Sequence, residues 1–238
     1  MLEIKNFTKK FGDKVAVDDL SISVGDGKIC AFIGHNGAGK TTTLKAIAGI
    51  IDYDAGDIIV NSVNVKDNPM VVKKELAYLP DNPDMYEHLK GIEYLNFIAD
   101  VFNMTKDDRK EKIEKYANLF DLYKDLNGYI SSYSHGMKQK LALISALMHE
   151  PKMLLLDEPF VGLDPISSHK FKEVMKKLKS QGATIFYSTH VLEVAEKICD
   201  EVAIIKQGKL IVHDTMDNVK GMKSLESIFL ELEDEDNN

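Results

Sequence analysis

Three observations predict an α/β fold with a mostly parallel sheet, an antiparallel β layer near the N-terminus and an inserted helical subdomain. The first is a set of short apolar runs without alternation, at Ile29 to Ile33, Met153 to Leu156 and Thr184 to Tyr187. Such runs suit central parallel strands covered on both faces. The second is a group of shorter segments at Leu2, Ile4 and Phe7, at Ser21 to Val24 and at Ile58 to Val65, punctuated by Gly25-Asp26-Gly27 and Gly56-Asp57. These read as partly exposed strands of an antiparallel layer. The third is helical spacing between the two groups, in Ile92, Leu95, Ala99 and Phe102 and again in Ile113, Tyr116, Phe120 and Tyr123. Residues of about 85 to 130 therefore read as a helical insertion.

The stripe Met137, Leu141, Ile144 and Met148 marks a further helix with Ser134 as its N-cap, extending the helical subdomain to about residue 150. Phe171, Val174, Met175 and Leu178 mark another, stopped by Gly182. The 238 residues suit one domain, residues 1–230, with that subdomain embedded, and an acidic, solvated tail at 231–238.

Composition narrows the function. A formal net charge of -8 gives no general basic surface, so nucleic acid is not expected as the main partner. The two cysteines, Cys30 and Cys199, sit apart in apolar segments and read as reduced, buried thiols of a cytosolic protein. Met1 to Lys10 alternates apolar and polar residues, unlike a signal peptide, and no run approaches the roughly 18 to 20 apolar residues of a spanning helix. The chain is not expected to be a pore.

Gly34-His35-Asn36-Gly37-Ala38-Gly39-Lys40-Thr41 fits G-x-x-x-x-G-K-[ST], between an apolar strand ending at Ile33 and a helical pattern through Leu44, Ile47 and Ala48. Glycines let successive backbone N–H groups turn toward one anion, and the helix N-terminus adds positive dipole. Lys40 reaches the terminal phosphates of ATP and Thr41 is placed to ligate Mg²⁺, with Thr42 beside it. Such a loop needs acids on a neighbouring strand. Asp157 and Glu158, at the exit of the Met153 run, supply a metal carboxylate and a general base. His190 ends the third apolar run, at the strand edge where open parallel sheets place ligands, and suits a γ-phosphate sensor or a partner of Glu158.

These features describe a P-loop ATPase core. Ser132-Tyr133-Ser134-His135-Gly136-Met137-Lys138-Gln139-Lys140 resembles the signature motif of ABC transporter ATP-binding subunits, and Val161-Gly162-Leu163-Asp164-Pro165 resembles that family's D-loop. The order of motifs, from Phe11 to His190, is similar to the family over nearly the whole chain. The resemblance implies a head-to-tail homodimer with ATP between the P-loop of one subunit and the signature helix of the other. It implies that Phe11 stacks on adenine with Val17 nearby, that Ser134 and Gly136 face the γ-phosphate of the opposite ATP, and that Asp164 communicates between sites.

Two departures from the family pattern stand out. Tyr133, His135 and Met137 replace three residues of the usual Leu-Ser-Gly-Gly-Gln, a variant similar to the ABC-2 type export subgroup. Asp81, between Pro80 and Pro83, stands where the family places a glutamine that touches the metal; it reads either as a Mg²⁺ ligand or as a turn residue. The resemblance implies a transmembrane permease partner docking near Asp81 to Gly91, ATP and Mg²⁺ as cofactors, and a cytoplasmic location peripheral to the inner face of the cell membrane. The other reading is a soluble ABC-fold ATPase acting on ribosomes or DNA.

Overall fold

The computed structural model describes residues 1–222 and 225–227; the acidic tail at 231–238 lies outside them. Strands β1 (Leu2–Phe11), β2 (Lys14–Val24), β4 (Ala55–Val60) and β5 (Val63–Asn64) form an antiparallel sheet in the order β2-β1-β4-β5. Strands β3 (Ile29–Ile33), β6 (Leu76–Leu79), β7 (Met153–Asp157), β8 (Thr184–Thr189), β9 (Glu201–Lys206) and β10 (Lys209–Thr215) form a second sheet in the order β10-β9-β3-β8-β7-β6. Its neighbours are parallel except for the β9–β10 hairpin.

Burial on both faces explains why the central strands show no alternation. Ile29, Ala31 and Ile33 point into one core together with Leu154, Leu156, Ile185 and Tyr187. Cys30 and Phe32 point into the other with Met153, Leu155 and Phe186. Each strand thus serves two cores with period two, and every position must be apolar or small.

The first core is closed by α3 (Gly91–Val101), α4 (Lys106–Leu119), α5 (His135–Leu147) and α6 (Pro165–Ser180). The second lies between the two sheets and includes α1 (Lys40–Ile47) and α2 (Pro69–Glu75). Two further helices, α7 (Leu192–Ile198) and α8 (Met216–Met222), follow β8 and β10. Ser134 caps α5, its hydroxyl accepting from the Met137 N–H at 3.3 Å.

Local differences from the sequence reading have physical causes. Ile58 to Val65 is split into two strands by Asn61 and Ser62, both at positive φ, a tight turn whose asparagine tolerates the left-handed region. The helical stretch starts at Gly91, because Lys90 is extended and 85–90 lies outside helix. Tyr123 falls in a 3-10 turn after α4 and is exposed, whereas Ile113, Tyr116 and Phe120 are buried as the stripe requires. Among the described residues, no helix is long and apolar enough to cross a membrane.

Candidate nucleotide site

The cleft opens where β3 and β7 end, the edge at which parallel sheets expose their loops. Between β3 and α1 the chain turns through Gly34 to Gly39, and Gly39 takes φ 112° as the N-cap of α1. A Cβ there would lie 2.8 Å from the Ala16 carbonyl oxygen and 3.0 Å from Val17 Cγ2, so only glycine fits. Val17 is accordingly fully buried beneath the loop, and Ala16 rather than Val17 lines the cavity.

That cavity is about 320 Å³, and Phe11, Asn36, Gly37, Gly39, Lys40, Thr41, Thr42, Asp81, Asp157 and Glu158 all line it. His35 and Ala38 face a smaller adjoining cavity with Lys206 and Gln207. Gly34 packs against Ile205, its hypothetical Cβ 2.4 Å from that residue's carbonyl oxygen.

Lys40 is buried and donates to the carbonyl oxygens of Gly34 at 2.6 Å and His35 at 3.0 Å. Burial draws its pKa below the ordinary lysine value, against the opposing pull of Glu158 and Asp157. The Thr41 hydroxyl donates to Asp157 Oδ2 at 2.6 Å, and the Ser188 hydroxyl donates to Asp157 Oδ1 at 2.5 Å. Asp157, at 2% exposure, is thus held by hydroxyls on both oxygens.

Glu158 adopts φ 48°, and its N–H points back to the Ser188 hydroxyl at 3.1 Å. This turn lets the Glu158 side chain reach His190, with Oε1 to Nδ1 at 3.0 Å. Ser188 therefore holds the Asp157 carboxylate and the Glu158 backbone, a role the sequence reading missed. The available signal was a small hydroxyl residue two places before His190, where the apolar run of β8 ends.

The cleft fits a hard divalent cation. Thr41 and Asp157 offer oxygen donors at its floor, and Asp81 lines the same cavity. Mg²⁺ takes oxygen ligands and water, and this donor set contains no competing sulfur or imidazole.

The remaining predicted residues sit elsewhere. Ser134 is exposed at the start of α5, next to Gly136, and Asp164 caps α6 by accepting from the Ser167 N–H at 2.8 Å. None of the three lines the cavity that holds the P-loop. Gly136 meets the loop at 161–165 instead: a Cβ on it would lie 2.9 Å from the Gly162 carbonyl oxygen.

A family model described as ABC transporter matches residues 17–161, which include the P-loop, α5 and both carboxylates. The chain belongs to the ABC transporter family. It is an ATP-binding subunit of that family, and an ATPase. The ABC-type transporter ATP-binding protein EcsA of Bacillus subtilis is 32% identical over 99% of this chain and 98% of its own length. The uncharacterized ABC transporter ATP-binding protein YhcH of the same organism is 36% identical over 89% of the chain and 68% of its own. The linearmycin resistance ATP-binding protein LnrL, also of Bacillus subtilis, is 33% identical over 90% of the chain and 69% of its own.

Among solved structures, an ATP-binding subunit of an ABC transporter superposes with a TM-score of 0.93 at 32% identity, covering 98% of this chain and 99% of its own. A dimeric post-hydrolysis state of the ATP-binding cassette MJ0796, bound to ADP and Pi, superposes with a TM-score of 0.83 at 21% identity over 91% of this chain and 99% of its own, a likeness of fold. The predicted α/β architecture of this ABC subunit is thereby established.

Proposed function

We propose that this ABC subunit closes head-to-tail with a second copy around two Mg-ATP, hydrolyses them, and drives export through a separate transmembrane subunit. The observation that carries the reading is convergence. The P-loop, the Thr41–Asp157 pair and Glu158, which His190 contacts from outside the lining, meet at one cleft.

In this reading the P-loop N–H groups and the N-terminus of α1 hold the phosphates, and Lys40 exchanges its own carbonyl partners for phosphate oxygens. Phe11, half exposed at the cleft mouth, stacks on the base. Mg²⁺, when bound, supplies charge neutralisation at the phosphates; Thr41 and Asp157 hold it, with Asp81 beside them. Glu158 takes a proton from the attacking water, and His190 orients Glu158 and contacts the γ-phosphate.

Ser134 and Gly136 lie outside the cavity of their own chain, which suits service to a partner's nucleotide. An exposed α5 N-terminus can donate to an anion only if another surface brings one. Residues 1–230 form the single ABC domain in this reading, with helices near 85–150 as its subdomain. Residues Asp81 to Gly91 support docking of the permease. Tyr86 is exposed there, edge-to-face with Phe97, and Phe97 and Val101 continue an apolar surface. Export is supported by relatives named for linearmycin resistance and, as probable, for multidrug transport. A cytoplasmic position at the inner membrane face follows from such docking, as does a partner other than nucleic acid.

The test is Glu158→Gln. The variant is expected to lose turnover by roughly 10² to 10⁴-fold, as when a general base is removed, while accumulating a Mg-ATP-bound dimer in gel filtration. Normal turnover in a monomer sinks the reading. Recovery of the native protein with ribosomes rather than with membranes holding its permease would sink the transport half alone.

A further inference from the structure

A second group of ligand-competent side chains lies away from the phosphate loop, toward the opposite end of β3. Cys30 of β3 is the ladder partner of Glu201 on β9, and His213 of β10 is the ladder partner of Ala203, two residues along β9. Ladder partners share a face and residues two apart share a face, so Cys30, Glu201 and His213 all project to one side of the sheet. A register shift between Leu210 and Val212 sets that phase for His213. One ligand atom from each of the three lies within 4.8 Å of the other two.

Hydrogen bonding does not account for the grouping. His213 Nε2 and Glu201 Oε2 are 3.7 Å apart, beyond hydrogen-bond range. Donors on a tetrahedral ion with bonds of about 2.0 to 2.3 Å are separated by about 3.3 to 3.8 Å. The Cys30 sulfur has a weak contact to the Ala31 carbonyl oxygen at 3.8 Å and a backbone hydrogen bond from Ala203, neither of which involves Glu201 or His213.

We propose that Cys30, Glu201 and His213 form a binding site for a zinc-class divalent cation, with a water completing the fourth position. Thiolate, carboxylate and imidazole form a mixed donor set typical of zinc rather than of Mg²⁺. One thiolate and one carboxylate neutralise a divalent ion, which makes the charge tolerable in a site whose cysteine is fully buried. Binding displaces the Cys30 thiol proton to solvent as the sulfur–metal bond forms. Without a cation, burial foremost, then Cys199 and Glu201, keep that thiol protonated. Glu201 and His213 retain 16% and 22% side-chain exposure, which leaves an entry path. The site would tie the β9–β10 hairpin to β3, the strand that leads into the phosphate loop. It does not depend on the proposed transport role.

Cobalt titration tests the site directly. Reduced, metal-stripped full-length protein with Mg-ATP in excess is expected to bind one Co²⁺ with tetrahedral-intensity visible bands and a thiolate charge-transfer band. One equivalent of Zn²⁺ should bleach both. Cys30→Ala should abolish the charge-transfer band, Cys199→Ala should keep it, and His213→Gln should weaken Co²⁺ at least roughly tenfold, as much as the loss of even an outer-shell partner. Absence of a thiolate band in the wild type overturns the proposal, as does a band that follows Cys199 or an affinity unchanged in His213→Gln. Should Cys30→Ala not fold, the wild-type spectrum and His213→Gln decide alone.

Discussion

The Lys140 ammonium lies 2.8 Å from the Asp164 carboxylate, tying α5, which Ser134 caps, to the loop that follows Asp157 and Glu158. Asp164 also accepts from the Ser167 N–H and hydroxyl at the start of α6. One carboxylate therefore joins the two helices. Its pKa is held well below the usual carboxylate range, first by Lys140 and then by Ser167.

The two partners should differ when removed. Asp164 is nearly half exposed, so Lys140→Met is expected to change stability by under about 1 kcal/mol. Asp164→Ala also loses a helix cap and should cost about 1 to 2 kcal/mol. Because the folded pKa is depressed, the carboxylate's contribution is complete above its unfolded value near ~4 and is lost only as pH falls through the folded value. Urea midpoints for both variants between pH 7 and 5 should run parallel to wild type; a wild-type advantage that shrinks across that range would contradict this.

Gly162 of the same loop is fixed by its neighbour. Its φ is 79°, and an added Cβ would lie 2.6 Å from His135 Cδ2. Gly162→Ala should then cost about 1 to 3 kcal/mol, from the left-handed backbone and the clash together. His135→Ala in that background should restore the part due to the clash and leave the backbone part. Strict additivity of the two changes, measured by a double-mutant cycle, would show that the imidazole is not the obstruction.

Phe11 is 52% exposed, so the proposed stacking on the base can be tested apart from any core role. Phe11→Ala should leave the thermal midpoint almost unchanged and raise the KM for ATP about tenfold, within the ~1 to 3 kcal/mol that base stacking supplies. A large stability loss with an unchanged KM would make Phe11 a packing residue.

The parts legible in the sequence were those whose constraint is local. A phosphate loop announces itself because glycines, lysine and threonine must follow one another along the chain, and Asp157 and Glu158 because they close an apolar strand. Ser188 was not legible: it meets Asp157 and Glu158 only because β7 and β8 are ladder neighbours in register. The same is true of Lys140 with Asp164 and of His135 with Gly162. The β9–β10 hairpin escaped for another reason. Its outer strand β10 is half exposed and mixed in character, so neither strict alternation nor a long apolar run marks it. Val17, expected on resemblance to pack near the nucleotide, is buried under Gly39, beneath the phosphate loop, where it does not line the cavity.

His149, just past the end of α5, offers a pH test of the helical layer. Its ring stacks on Phe102 with centroids 3.7 Å apart and planes 9° from parallel. Burial pushes its pKa down to about 4. The folded protein thus refuses a proton that the unfolded chain accepts near ~6.5. Stability from this residue is complete above ~6.5, declines as pH falls toward the folded value and is flat below it. At about 1.4 kcal/mol per unit, the loss reaches about 2 kcal/mol by pH ~5. His149→Phe keeps a stacking ring and removes the titration, so its urea midpoint should fall less than the wild type's between pH 7.5 and pH 5, with every other titrating group cancelling in the comparison. If the two pH curves coincide, His149 takes up its proton without leaving the stack, and its burial does not oppose the charge.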